Sequence, residues 1–388
     1  MDAVGVHGGR RALASTMASH APMLAPIAAD AGARGAAVFI DLTEAHSPKK
    51  EAPDLALAGA SRISCDEAFW NAHTQIRALG RGSFASVVLA RNVSSGLLSA
   101  VKIVDKEAAT NTDEDSSPDY RREAEILSTI NHPNVVTLHS VSHSPTTLFL
   151  LMEPAAGDLR AHVAALPGGV CSEPEARRLF SSLLSAVSHL HDRSIVHRDI
   201  KLSNVLLSAE TGDVLLADFG LAERVPAGGL TAVCGTHDCL APEMVRCGHG
   251  DVMSYGVEVD LWAAGLLLYA LLFGRNPFER ETEISTLQAI LAGDYVLPAA
   301  APTGAAVGAA ARELIAALLV TDPAARPGAA DALAHAWLAP SSPGRASSPV
   351  RLLRRLLGGD GNGWRPRFEL RSAAPPAVAA SPLVECAS

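Results

Sequence analysis

The chain has 388 residues, of which 48% are hydrophobic, enough to bury a sizeable core in one large domain or two closely packed ones. Its formal net charge of −9 argues against a general nucleic-acid-binding protein, because such proteins carry a concentrated basic surface. The six cysteines lack Cys-x-x-Cys spacing, which disfavours a zinc site and a dense disulfide framework, and a reducing compartment fits best.

Low-complexity sequence flanks a central region that carries the regular patterns. Residues 1–72 and 340–388 are rich in Ala, Gly, Ser and Pro, which predicts two disordered tails. Few acids accompany Arg10 and Arg11, a composition that faintly resembles an organelle transit peptide, so targeting stays open beside plain low-complexity sequence. Residues 350–357 place arginines beside leucines, as in a calmodulin target, a membrane-surface contact or an autoinhibitory strip. The alternative is a short helix that packs on the domain or frays in solvent.

Residues 73–152 predict a small β-rich lobe. Strands are indicated at residues 75–79, 86–91 and 98–104, and a turn at residues 94–96 joins the last two as a hairpin. Ser117-Pro118 offers the start of a helix that His132-Pro133 ends. We therefore expect one helix against a small antiparallel sheet.

Residues 156–339 predict a larger helical lobe. Ser172 and Glu175 have the spacing of a capping box, and an apolar stripe follows between residues 179 and 190. The apolar run at residues 261–273 is shorter than the roughly 20 residues of a membrane span, so it predicts a buried helix and no transmembrane segment. The expected fold class is α+β and bilobal, with a cleft that suits a ligand.

Two features of the small lobe suit phosphate binding. Gly80 and Gly82 lie between two predicted strands and allow the backbone to fold tightly over phosphates, although an ordinary hairpin turn has the same pattern. Lys102 interrupts an apolar strand, where the simpler explanation is a charge on the solvent face. Its candidate partners are Glu123 and Glu125, which point to different faces of the following helix.

The chemistry concentrates in one polar stretch of the larger lobe. It reads His197-Arg-Asp-Ile-Lys-Leu-Ser-Asn204, and Asp218-Phe-Gly220 follows after an apolar run and a turn. Phosphoryl transfer needs two acids, a cation and an amide close together. This stretch supplies them on a loop, a hairpin and a second loop. With the features above, this stretch resembles the catalytic and metal-binding loops of eukaryotic protein kinases.

The resemblance implies a bilobal kinase fold, ATP and Mg²⁺ as cofactors, and protein substrates. Asp199 would be the catalytic base, Lys201 would neutralise charge on the transferred phosphoryl group, and Asn204 and Asp218 would hold magnesium. The kinase register favours Glu123 as the partner of Lys102. The implied ATP pocket consists of Leu79, Gly80, Gly82, Ser83, Val87, Ala100, Lys102, Met152, Glu153, Ala155 and Leu206.

The resemblance also implies the acceptor. In this family, a lysine at the position of Lys201 marks serine/threonine kinases, and Thr236 agrees with that class. Residues 234–243 resemble the substrate-docking segment, in which Cys239 replaces the usual aromatic residue. Thr231 is a candidate phosphosite that would pair with Arg198 when phosphorylated.

Further residues match structural parts of the kinase fold. Glu243 and Arg326 are expected to form a buried pair, and Asp260 is expected to hold the backbone of the catalytic loop. Asp158 would contact the ribose or a basic substrate side chain, although Gly157-Asp158 is equally a turn signal. The side chains that match the apolar spine between the lobes are Leu127, Leu138, His197 and Phe219.

Short matches at residues 82–85, 104–107, 201–204, 276–279 and 293–298 most resemble polo-like kinases without polo boxes. Aurora and calmodulin-dependent kinases are the competing subfamilies. We expect a cytoplasmic serine/threonine kinase, with the centrosome and the nucleus as alternatives. The alternative function is a catalytically weak, kinase-like scaffold that binds partners, because Cys239 and the segment around Thr231 depart from the family pattern.

Overall fold

The computed structural model describes residues 65–82, 85–106 and 120–339, all within the first of the chain's two units, Met1–Gly344. Ser83, the 350–357 segment and nearly all of both predicted tails lie outside the described residues. The exception is a helix, α1, at Cys65–Ala72, inside the range predicted to be disordered. The prediction was wrong there because Phe69 stacks on Phe149 with ring centroids 4.1 Å apart, a contact that local composition does not show.

A five-stranded antiparallel sheet forms the small lobe, in the order β1-β2-β3-β5-β4. The three predicted strands are confirmed and extend one or two residues further at most ends. The turn between β2 and β3 forms because the Asn92 Oδ1 accepts hydrogen bonds from the backbone N–H groups of Ser94 and Ser95. The elements of this lobe are β1 (His73–Arg81), β2 (Ala85–Asn92), β3 (Leu98–Asp105), α2 (Tyr120–Ser128), β4 (Leu138–His143) and β5 (Thr147–Met152).

The larger lobe is mainly helical, with short strand pairs at the face that carries the polar stretch. Strand β6 pairs with β8 and β8 with β9, while β7 pairs with β10. The strands are β6 (Ala155–Asp158), β7 (Ile195–Val196), β8 (Val205–Ser208), β9 (Val214–Leu216) and β10 (Glu223–Arg224). The helices are α3 (Leu159–Ala164), α4 (Glu173–His191), α5 (Pro242–His249), α6 (Glu258–Phe273), α7 (Glu283–Ala292), α8 (Ala309–Leu318) and α9 (Ala329–Leu333).

Helix α6 is the centre of this lobe and confirms the predicted buried helix. Nearly all of its residues are buried, because other elements cover it on all sides. Gly265 permits close contact with the end of α8, since a Cβ at this position would lie only 2.9 Å from the Cβ of Leu318. Among the described residues, no helix combines the length and apolar character that crossing a bilayer would demand.

The start of α4 corrects one detail of the sequence prediction. Ser172 is the N-cap residue, but its side chain makes no capping hydrogen bond. The Glu175 carboxylate instead lies 2.9 Å from the His162 Nε2 on α3. The expected capping box is absent at these residues because a tertiary partner takes the glutamate.

Candidate active site

Lys102 and Glu123 form a close ion pair between the sheet and α2. The Lys102 Nζ lies 2.6 Å from both carboxylate oxygens of Glu123. The two side chains are only 13% and 4% exposed, which rules out the solvent-face explanation for the lysine. Glu125 is exposed, so the choice between the two glutamates is confirmed.

Asp218 is the second carboxylate beside this lysine, with its Oδ1 2.9 Å from the Lys102 Nζ. Burial lowers the pKa of Lys102, but the charges of Asp218 and Glu123 outweigh it and hold that pKa above its ordinary value. The lysine charge lowers the pKa of Asp218 to about 2. Burial raises the pKa of Glu123, and the charge of Lys102 only partly offsets this. The ammonium and the Asp218 carboxylate are therefore both ionised at neutral pH.

Asp199 is surrounded by three donors from its own loop and the docking segment. Its Oδ1 accepts a hydrogen bond of 2.9 Å from the Thr236 hydroxyl. Its Oδ2 lies 2.8 Å from the Lys201 Nζ and accepts from the Asn204 Nδ2 at 2.8 Å. The Lys201 Nζ also donates to the Thr236 Oγ1 at 2.8 Å. This network fixes the orientation of a carboxylate that can accept a proton from a nearby hydroxyl.

Asp260, at the start of α6, holds the backbone that presents Asp199. Its two carboxylate oxygens accept from the backbone N–H groups of His197 and Arg198 at 2.8 and 2.9 Å. Arg198 has a φ of 66°, a left-handed conformation that costs a non-glycine residue roughly 1–2 kcal/mol. Burial raises the pKa of Asp260. The hydrogen bonds from His191 and from the loop backbone together lower it by more, so the pKa lies below its usual value. The predicted role of Asp260 is confirmed.

The β8–β9 hairpin brings the two expected magnesium ligands to the same end of the sheet. Val205 pairs with Leu216, and the Ala217 N–H donates to the Asn204 carbonyl at 2.9 Å. The Asn204 Nδ2 faces two oxygens of Asp199, so the amide oxygen is the atom available to a cation. Asp218 offers a carboxylate that is 51% exposed. One carboxylate and one amide oxygen suit Mg²⁺, which takes few protein ligands when phosphates complete its shell.

The expected adenine pocket has apolar surfaces from both lobes. Leu79 and Ala100 belong to one small cluster of the sheet, against which Val87 packs. Met152 and Leu206 are buried in the main core. The Gly82 N–H donates to the Ala85 carbonyl at 2.7 Å, which closes the described part of the glycine-rich turn.

The segment after β5 carries Glu153 and Ala155, two residues of the expected ATP pocket. The Glu153 N–H donates to the Thr137 carbonyl at 3.1 Å, and the Glu153 carboxylate accepts from the Thr137 N–H at 2.7 Å. Only the carbonyl of Glu153 therefore remains for adenine. Ala155 is buried at the start of β6, paired with Ser208.

One buried pair predicted from the sequence is confirmed, and two of the four predicted spine residues are in contact. Glu243 and Arg326 form a bidentate pair at 2.8 and 3.2 Å, with both side chains buried. The His197 and Phe219 rings lie edge to face with centroids 4.9 Å apart. These contacts connect the docking segment and the catalytic loop to the core.

Three residues whose roles the sequence left open have the following surroundings. Asp158 caps α3 by accepting from the Ala161 N–H at 2.7 Å, so the turn explanation describes its side chain. Cys239 lines a small pocket beside Asp199. Burial, and after it the negative charge of Asp238, raises the pKa of its thiol to about 12. Thr231 has an exposed side chain, and its carbonyl accepts a hydrogen bond from the Cys247 thiol.

The sequence analysis missed one member of the site, Glu223. Its carboxylate contacts Arg122 on α2 and lies 3.6 Å from Arg198 of the catalytic loop. The signal was present, since an acid follows Asp218 by five residues, but only the fold shows which cations it meets.

Comparisons with known proteins agree with this geometry. A family model described as "Protein kinase domain" matches residues 73–338. The chain is 34% identical to "Sucrose non-fermenting protein kinase 1" of Fusarium virguliforme, over 79% of this chain and 41% of that protein. It is 37% identical to "CBL-interacting protein kinase 16" of Oryza sativa subsp. japonica, over 75% of this chain and 63% of that protein. It is 34% identical to "Aurora/IPL1-related protein kinase 2" of Caenorhabditis elegans, over 68% of this chain and 81% of that protein. The chain thus spans less than two thirds of the length of the first two relatives.

Proposed function

The chain belongs to the protein kinase family, and we propose that it transfers the γ-phosphoryl group of ATP to serine or threonine hydroxyls of protein substrates. The observation that carries the proposal is the arrangement around Asp199, where Lys201, Thr236 and Asn204 all donate to one carboxylate. A scaffold with no catalytic function would not need this set of aligned donors.

The residues divide the reaction between them. Asp199 orients the acceptor hydroxyl and takes its proton, while Lys201 stabilises the charge that develops on the transferred phosphoryl group. Lys102, fixed by Glu123, contacts the phosphates nearer the nucleoside. Magnesium held by Asn204 and Asp218 would neutralise the negative charge of the phosphates.

Serine/threonine specificity is supported by Lys201 and Thr236, which bond to each other at 2.8 Å directly beside Asp199. The three relatives described above are all named as protein kinases. The finer similarity to polo-like kinases stays a prediction from short sequence matches, and these relatives include an Aurora-related kinase instead.

Regulators and location are also proposals. One relative is named for its interaction with CBL, and we infer that this chain too has a regulatory partner. Calmodulin or another regulator at residues 350–357 remains the predicted contact, and that segment lies outside the described residues. A cytoplasmic location remains a prediction.

The test is transfer of radiolabel from ATP to a generic protein substrate. We expect incorporation by the wild-type protein, a loss of at least about a hundredfold in Asp199→Ala, and no change in Asp192→Ala, whose side chain is exposed. Phosphoamino acid analysis should find label on serine and threonine. Equal and negligible incorporation by folded wild type and Asp199→Ala would favour the scaffold.

A further inference from the structure

Glu223 lies between two arginines that come from different parts of the fold. Its Oε2 contacts the Arg122 Nη1 and is 3.6 Å from the Arg198 Nη2. The side chains of Glu223, Arg198 and Arg122 are 24%, 6% and 40% exposed, so solvent screens the contact with Arg198 less than the contact with Arg122. One carboxylate therefore contacts guanidinium groups from two separate elements of the fold.

The neighbours of these arginines are the residues on which phosphoryl transfer depends. Arg122 directly precedes Glu123, the partner of Lys102, on α2. Arg198 directly precedes Asp199. Strand β10 places Glu223 opposite Val196, two residues before Arg198. Glu223 therefore joins the helix that positions the lysine to the loop that positions the base.

The remaining donors of Arg198 hold the segment that contains Thr231. The Arg198 Nε donates to the Leu221 carbonyl at 2.7 Å, and its Nη1 donates to the Tyr255 hydroxyl at 3.2 Å. That hydroxyl donates in turn to the Ala232 carbonyl. The backbone of Tyr255 also exchanges two hydrogen bonds with Leu230, at 2.8 and 2.9 Å. The segment is thus anchored on both sides of Thr231 by hydrogen bonds to Tyr255.

We propose that Glu223 is a positioning residue that links α2 to the catalytic loop through Arg122 and Arg198, so that the active arrangement forms without a phosphate on Thr231. The proposal rests on the proposed kinase function and adds to it a regulatory property. A fixed carboxylate supplies the negative charge that a phosphorylated side chain would otherwise bring to Arg198.

The first experiment measures kcat and KM for ATP on phosphatase-treated full-length protein. Glu223→Gln, which keeps the shape and removes the charge, should lower kcat on the order of tenfold. Glu223→Asp should retain most of the activity, and Glu210→Gln, an exposed glutamate on the larger lobe, should behave as wild type. Thr231→Ala should also keep the wild-type kcat.

A double-mutant cycle separates positioning from general loss of stability. Arg122→Gln should lower kcat by a similar factor, and the double variant Arg122→Gln with Glu223→Gln should be no worse than either single variant. If the two losses multiply, or if Glu223→Gln matches wild type, the link between α2 and the loop is disproved. A Thr231→Ala or dephosphorylated protein that loses activity while the phosphorylated protein is active would overturn the phosphate-independent arrangement.

Hydrogen exchange gives a readout that does not require catalysis. In Glu223→Gln, amides of α2 (Tyr120–Ser128) should exchange faster than in wild type or Glu210→Gln, while those of α6 should not change. If wild type transfers no phosphoryl group but α2 loosens as expected, the kinase function fails and the positioning role stands. If wild type is active and α2 exchanges identically in all three proteins, the positioning role fails alone.

Discussion

Replacing Asp260 by asparagine tests how much of the active arrangement depends on a residue that does not touch the reacting atoms. The carboxylate is fully buried, and its two oxygens accept separately from the N–H groups of His197 and Arg198. An asparagine offers one oxygen and one NH₂ group, so one of these N–H donors would face another donor.

The size of the effect follows from those contacts. Losing a hydrogen bond to a charged group costs about 1.5–3 kcal/mol, and a buried donor left without an acceptor costs about 1–3 kcal/mol. These two costs describe the same lost contact, so we expect Asp260→Asn to lower the free energy of unfolding by about 1.5–3 kcal/mol. Either loss would release part of the backbone that presents Asp199, so kcat should fall at least about tenfold even where the protein is folded.

Urea unfolding followed by circular dichroism measures the first quantity, and phosphoryl transfer well below the unfolding midpoint measures the second. Asp213→Asn is the matched control, because its carboxylate is 43% exposed and pairs with Arg178 at the surface. That change should cost less than about 1 kcal/mol. A loss below about 1 kcal/mol in Asp260→Asn, with unchanged kcat, would refute the reasoning.

Three further predictions concern buried or partly buried charges. Arg326→Met should lower the free energy of unfolding by about 3–5 kcal/mol, because it leaves the Glu243 carboxylate buried without its partner. The double variant Glu243→Gln with Arg326→Met should recover part of this loss in chemical unfolding. Equal losses in the single and double variants would contradict the pairing argument. The pKa of Lys102 is raised, so the stability that its ion pair with Glu123 provides is fully present below the ordinary lysine pKa and is lost only as the pH rises through the raised value. The difference in Tm between wild type and Lys102→Met should therefore be the same at pH 7 and pH 9. A difference that shrinks over this range would contradict the raised pKa of Lys102. Asp158→Ala should destabilise the protein by about 1 kcal/mol through loss of a helix cap, and a peptide library should show the same preference at basic positions as wild type; a changed preference would instead assign the side chain to the substrate.

The elements that the sequence predicted well are those whose cause is local. The hairpin between β2 and β3 depends on Asn92 and the turn that follows it, and α6 depends on a continuous apolar run. Helix α1 has only eight residues, too few to be stable by itself in water. It forms because the ring of Phe69 stacks on the ring of Phe149 in β5. These residues are far apart in the sequence, so no periodicity near residue 65 predicts the contact.

The same distinction applies to the site. The spacing of His197 to Asp218 predicts which groups meet, because the loop and the β8–β9 hairpin fix their separation over a short stretch of chain. The partner of Glu175 was not predictable in this way, since its spacing from Ser172 fitted a capping box while the fold offered His162. Asp158 is the opposite case, because the local turn explanation holds and its side chain caps the helix that follows it.

Buried charge explains why the site forms as one unit. Lys102 lies between the carboxylates of Glu123 and Asp218, which belong to α2 and to the segment after β9. Removing Lys102 would leave the buried Glu123 carboxylate without a counterion, at a cost of about 3–5 kcal/mol. Displacement of α2 would carry the same penalty, because it would take Glu123 away from the lysine. The ion pair therefore couples the position of the helix to the catalytic lysine, and the contact of Glu223 with Arg122 adds a second link between the helix and the catalytic loop.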